Sequence, residues 1–157
     1  MCMLNIDSPA PAFSVPNEND ELVTLDSAKT RFTLIYFYPK DDTPGCTTEA
    51  CGLRDVFKKI LSLDCTIYGV SKDSPAKHAK FKEKYNLPFS LLADESTEMI
   101  QAYGAWQEKS MYGKKYMGIA RMSYLLDGNK VVKVYPKVSP KTHAEQIVED
   151  LTELSRS

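Results

Sequence analysis

An excess of charge of either sign is missing from this sequence. Its 157 residues carry 20 Lys and Arg against 21 Asp and Glu, for a net charge of −1. That balance excludes a nucleic-acid binder working by bulk positive charge. No run approaches the roughly 20 apolar residues that a membrane-spanning helix needs. The opening stretch MCMLNIDSPAPAF lacks a basic start followed by an apolar run, so no secretory signal is expected and a cytoplasmic location is. Internal repeats and low-complexity tracts are absent. So is a Cys-x-x-Cys pair: the four cysteines stand at 2, 46, 51 and 65. With only His78 and His143 as further ligands, no recognisable zinc set forms. What is present suits an ordinary core. Hydrophobic residues make up 43%, enough for one domain spanning 1–157.

The pattern of elements points to an α/β fold. The run Phe32-Thr-Leu-Ile-Tyr-Phe-Tyr38 is apolar on both faces, as a central parallel strand should be, and Pro39 ends it. Helix is predicted over 46–63, because Leu53, Val56, Phe57, Ile60 and Leu61 recur at three and four. Strand follows over 65–70. Ser74-Pro75 caps a helix reaching 85. A strand over 89–93 and a short helix over 95–103 come next. Residues 105–120 show no clean period and read as a long loop. Strands over 121–126 and 130–135 flank Asp127-Gly128-Asn129, a tight hairpin signal. An amphipathic helix over 142–154 closes the chain, and 22–25 reads as a short edge strand. Alternating strands and helices imply parallel pairing by right-handed crossovers, and the hairpin adds antiparallel strands. The expected architecture is thioredoxin-like: a mixed central sheet with helices on both faces.

The chemistry concentrates in the segment from Tyr38 to Gly52. Cys46 follows a buried strand and stands at the start of a helix. There the unpaired backbone N–H groups and the positive end of the helix dipole favour a thiolate. Leu53 lies seven residues on, on the same side, so Cys46 faces the sheet. Cys51 is about 140° further round and about 7.5 Å up an ideal helix, roughly 8.7 Å away between Cα atoms. A disulfide spans less than about 7 Å, so these two thiols can pair only if the first turns unwind. Thr47, Thr48 and Gly52 are weak helix formers and make that opening easier. The same cysteines also fit a plainer role as small buried apolar residues.

The run from Pro39 to Asp55, with its Pro-x-x-x-Thr-x-x-Cys pattern and the following Thr-Thr-Glu-Ala-Cys-Gly-Leu-Arg-Asp, resembles the active-site segment of peroxiredoxins. It is most similar to the peroxiredoxin Q, or bacterioferritin comigratory protein, subfamily. The likeness runs from Ala10-Pro-Ala-Phe13 to the final helix. It implies a thiol peroxidase that reduces hydrogen peroxide and organic hydroperoxides without metal, flavin or haem. Matched by motif, Cys46 is the peroxidatic nucleophile and Cys51 the resolving cysteine. Thr43 contacts the peroxide, Pro39 shields the sulfur, and Arg121 completes the pocket. Glu49 matches a recurrent acidic residue that orients Arg121 or a neighbour. Ser123 stands where many members have threonine, and keeps the hydroxyl. The resemblance further implies a thioredoxin- or glutaredoxin-like reductant and a monomer.

Two other functions compete with this one. A thiol–disulfide oxidoreductase would prefer the tighter Cys-x-x-Cys spacing. A non-enzymatic redox sensor would share the disulfide but need a partner surface that the sequence does not identify. The remaining residues have expected structural roles: Cys65 in the core, Cys2 non-catalytic, and His78 and His143 on the surface. Asp41 and Asp42 are expected to face solvent, as is the lysine cluster over 72–84. Trp106, Met111, Tyr112, Tyr116 and Met117 fit a cover over the sheet edge, a collar at the peroxide site or a contact patch.

Overall fold

The computed structural model describes residues 3–156. Its strands are β1 (Ser14–Pro16), β2 (Leu22–Thr24), β3 (Phe32–Phe37), β4 (Cys65–Ser71), β5 (Ser90–Ala93), β6 (Trp106–Met111), β7 (Lys114–Ile119), β8 (Met122–Asp127) and β9 (Lys130–Tyr135). Its helices are α1 (Pro44–Asp55), α2 (Phe57–Ser62), α3 (Pro75–Tyr85), α4 (Glu98–Ala102) and α5 (His143–Ser155).

Five strands form the main sheet in the order β5-β4-β3-β8-β9. β3 pairs in parallel with β4 (Phe32 opposite Cys65) and antiparallel with β8 (Phe32 opposite Asp127). Every residue of β3 is buried, which explains why its sequence is apolar on both faces. Phe32, Leu34, Tyr36 and Tyr38 join one cluster with Leu53, Ile60, Phe81, Ile147 and Leu151 from the helices α1, α2, α3 and α5. Ile35 and Phe37 point the other way, onto Val15, Val23, Met99 and Ile100 from β1, β2 and α4. Each such side chain contributes about 1.5–3 kcal/mol on burial. The sheet is thus mixed and covered on both faces, as a thioredoxin-like fold requires. The hairpin between β8 and β9 turns at Gly128, whose φ of +61° suits glycine.

Two stretches differ from the sequence reading. The helix expected over 46–63 starts earlier, at Pro44, and breaks at Val56, which takes φ −110° and ψ 12°. The break lets α1 pack on α5 while α2 turns onto β4. The loop expected over 105–120 is a two-stranded hairpin, β6 with β7, whose turn places Tyr112 and Gly113 at φ +52° and +78°. Most of its side chains lie in solvent, Tyr112 at 98% exposure. Little burial pattern therefore marks it in the sequence.

Both histidines correct the expectation of surface positions: His78 is 0% and His143 1% exposed. His143 sits edge-on to Tyr135, with Nε2 2.9 Å from the Ser123 hydroxyl. Burial pushes its imidazole down to about 4. Cys65 is buried as expected, and burial raises its thiol to about 12. Of the lysine cluster over 72–84, those at 72, 77, 80 and 84 are exposed as expected, while Lys82 is half-buried and pairs with the buried Glu18 at 3.2 Å. Cys2 lies outside the described residues.

Candidate active site

Cys46 is the third residue of α1 and only 1% exposed. The first α-helical bond of this segment runs from Thr47 N to the Thr43 carbonyl at 2.8 Å. The N–H groups of Gly45 and Cys46 precede that bond and stand at the positive end of the helix. Thr43 is the N-cap residue in extended conformation. Its hydroxyl donates to the Lys40 carbonyl at 2.9 Å rather than to the cysteine, so it closes the turn. The oxygen of that hydroxyl retains acceptor capacity. Pro39 is half-buried, two residues beyond the end of β3.

Arg121 comes from the residue before β8, 75 positions away in sequence, and reaches the same spot. Its Nη2 lies 3.3 Å from Cys46 Sγ and its Nη1 donates to Glu49 Oε1 at 3.0 Å. The approach depends on Gly45, where a Cβ would stand 3.0 Å from Nη2. Burial pulls the guanidinium down, but the neighbouring Cys46 and Glu49 outweigh it and the net displacement is upward. The structure therefore brings Cys46, Glu49 and Arg121 into one contact set. Cys51, a half-buried free thiol, lies further along the unbroken helix.

Glu49 has a side chain with 0% exposure, and Oε2 has no hydrogen-bond partner among the described residues. Burial lifts its carboxyl from 4.5 to about 7, against the downward pull of Arg121. The folded protein therefore holds this proton more tightly than the unfolded chain. The resulting stability is fully present below about pH 4.5 and is lost as pH rises through about 7. A displacement of that size is worth on the order of 3 kcal/mol. Glu49→Gln keeps the neutral shape and removes the titration. Its denaturation midpoint should fall less than that of the wild type between pH 4.5 and 7. Parallel midpoint curves for the two proteins would show that another group carries the dependence.

Sequence reading missed three participants. Gly45 was visible only as part of the motif. Lys109, on β6, was hidden in the supposed loop. It is half-buried, and its Cδ would lie 3.2 Å from a Cβ at Gly118. Burial and Arg121 push its ammonium down while Cys46 opposes them. The third is Asp41, expected in solvent but 9% exposed, with Oδ2 2.6 Å from His78 Nδ1. Asp42 does face solvent, where it pairs with Lys84 at 2.8 Å.

Residues 6–135 match the AhpC/TSA family. Peroxiredoxin Bcp of Bacillus subtilis is 42% identical over 97% of this chain and 98% of its own length. Among solved structures, the bacterioferritin comigratory protein of Xanthomonas campestris, studied for alkyl peroxide reduction, superposes with a TM-score of 0.86. It is 32% identical, and the match covers 91% of this chain and 92% of that one. A variant of PrxQ from Xylella fastidiosa gives a TM-score of 0.91 at 26% identity, covering 99% of both chains.

Proposed function

Because the chain belongs to the AhpC/TSA family of peroxiredoxins, and is therefore a thiol peroxidase acting on hydroperoxides, we propose that Cys46 is the thiol that attacks the peroxide. The observation that supports this most is the 3.3 Å approach of Arg121 Nη2 to Cys46 Sγ at the start of a helix. The thiolate sulfur attacks the terminal oxygen of the hydroperoxide and the O–O bond breaks. Sulfur becomes sulfenic acid, and the departing alkoxide or hydroxide takes up a proton to leave as alcohol or water. Negative charge moves from sulfur to the leaving oxygen. Arg121 and the N–H groups of Gly45 and Cys46 are the donors aimed at that region. The Thr43 oxygen, whose hydroxyl hydrogen is engaged by the Lys40 carbonyl, accepts from the hydroperoxide O–H. Pro39 shields the sulfur from water, and Glu49 holds Arg121 in place.

Cys51 then attacks the sulfenic sulfur, releasing water and closing an intramolecular disulfide. A thioredoxin- or glutaredoxin-like dithiol protein reduces it by exchange. No cofactor takes part in this scheme, and one monomer carries all of its residues. Among the described residues no helix is long and apolar enough to cross a membrane.

The test uses the reduced wild-type protein. One equivalent of hydrogen peroxide should remove two thiols rapidly, with a mass loss of two hydrogens. Catalytic turnover should follow when thioredoxin, its reductase and NADPH are supplied. Thiol loss no faster than that of free cysteine, or attack mapped to a residue other than Cys46, would overturn the assignment.

A further inference from the structure

The segment between β3 and α1 carries Pro39 and Thr43 and sets where the helix begins. It is fastened from outside by a residue that the peroxide chemistry does not use. His78, fully buried on α3, has Nε2 2.9 Å from the Leu92 carbonyl oxygen and Nδ1 2.6 Å from Asp41 Oδ2. A carbonyl oxygen only accepts, so Nε2 carries a proton. Two bare lone pairs at 2.6 Å would repel, so a second proton lies between Nδ1 and Oδ2. The other Asp41 oxygen accepts from the Tyr38 hydroxyl. The Asp41 N–H donates to Asp73 Oδ2 at 2.8 Å, and the Ser71 hydroxyl donates to the same oxygen at 2.7 Å. Ligand atoms of Asp41, Asp73 and His78 lie within 4.8 Å of one another, a spacing that would also suit a cation. Both ring nitrogens are already engaged, however, so the cluster closes on itself as a hydrogen-bond network.

We propose that His78 is a positioning residue for peroxide reduction: through Asp41 it fixes the loop that places Thr43 and the first turn of α1 around Cys46. The path is short. Asp41 is two residues from Thr43. Asp42 between them takes a left-handed φ of +56° and is held by Lys84 and by the Tyr85 hydroxyl, each at 2.8 Å. The Thr43 hydroxyl returns to Lys40, and the Thr43 carbonyl accepts the first helical bond. Slack at Asp41 therefore reaches the peroxide pocket without a flexible residue between. The proposal rests on Cys46 being the attacking thiol.

Two replacements separate the nitrogens of the ring. His78→Asn puts an amide nitrogen near the Nδ1 position and keeps a donor toward Asp41. His78→Gln puts one near the Nε2 position, keeps the bond to Leu92 and loses Asp41. Misplacement by about an ångström costs up to a hundredfold in rate. Stopped-flow attack by peroxide should therefore be roughly tenfold to a hundredfold slower in His78→Gln, and within about threefold of wild type in His78→Asn. Asp41→Ala removes the same contact from the loop side, because no side-chain polar atom is left to meet Nδ1. It should slow attack by a similar factor, and combining it with His78→Gln should add little. A purely structural role would lower both melting temperatures and leave the rates of the folded variants alike. Wild-type rates in folded His78→Gln or Asp41→Ala, or equal slowing in both histidine variants, would overturn the proposal. In the wild type, nitrogen-15 NMR should show both ring nitrogens of His78 bearing or sharing a proton; a bare Nδ1 would also overturn it. Mapping the site of attack in the wild type separates this failure from a failure at Cys46.

Discussion

Arg121→Lys should slow the second-order reaction of the reduced protein with hydrogen peroxide about a hundredfold, a loss of about 3 kcal/mol in transition-state stabilisation. The charge survives this change, so the effect tests geometry. The guanidinium makes two contacts at once, Nη2 to Cys46 Sγ at 3.3 Å and Nη1 to Glu49 Oε1 at 3.0 Å. Its planar fork keeps the two donors at a fixed separation. A lysine ammonium is a single point on a flexible stem. The buried Glu49, with one oxygen already unpartnered, would draw that ammonium away from the sulfur. As the O–O bond breaks, the leaving oxygen would then lack its most strongly charged donor. Stopped-flow fluorescence on variant protein, with a melting curve to confirm folding, gives the rate. A rate equal to wild type would mean that Arg121 does not face the reacting oxygens.

The parts of this site that were legible in the sequence are those carried by local pattern. The strand β3 announces itself because both faces are buried, and the helix after it because a short loop ending in a proline and a glycine precedes Cys46, although the first turn begins two residues earlier than the pattern suggests. The break at Val56 left no trace, since Leu53, Val56, Phe57, Ile60 and Leu61 keep a helical spacing across it. The hairpin of β6 and β7 was illegible for the opposite reason: with few of its side chains buried, little selects an alternating pattern. Lys109 was lost with it. His78 did carry a signal. It stands three residues before Phe81 and seven before Tyr85, on the apolar stripe of α3, and the flanking Lys77 and Lys80 masked that phase. Likewise His143 precedes Ile147 by four. Asp41 had no such phase, because its burial depends on partners 32 and 37 residues away.

Oxidation should join Cys46 to Cys51 within one chain, and the charge on sulfur gives a reason for the helix to let go only then. In the thiolate state Arg121 holds Cys46 against the start of α1. Sulfenic acid in its protonated form carries no charge, so reaction with peroxide followed by protonation of the product weakens that hold. The first turns of α1 can then unwind, as they must, because two thiols five residues apart on a helix are beyond disulfide reach. Leu53, with 0% exposure, anchors the helix downstream of Cys51 and limits the unwinding. Peptide mapping after one equivalent of peroxide should find the Cys46–Cys51 crosslink. Cys46→Ser should lose the first fast reaction altogether. Cys51→Ser should consume one equivalent of peroxide, accumulate sulfenic acid, overoxidise readily and turn over poorly with thioredoxin, while Cys65→Ser should change little. Opening itself can be probed at Gly52, where an added Cβ would meet Ala144 at an ordinary 3.6 Å. Gly52→Ala should stabilise the helix by up to about 1 kcal/mol and slow disulfide closure up to about fivefold without altering the first reaction. A crosslink through Cys65 or between chains would overturn the assignment of Cys51. Closure in Gly52→Ala as fast as in the wild type would show that unwinding of this turn does not limit resolution.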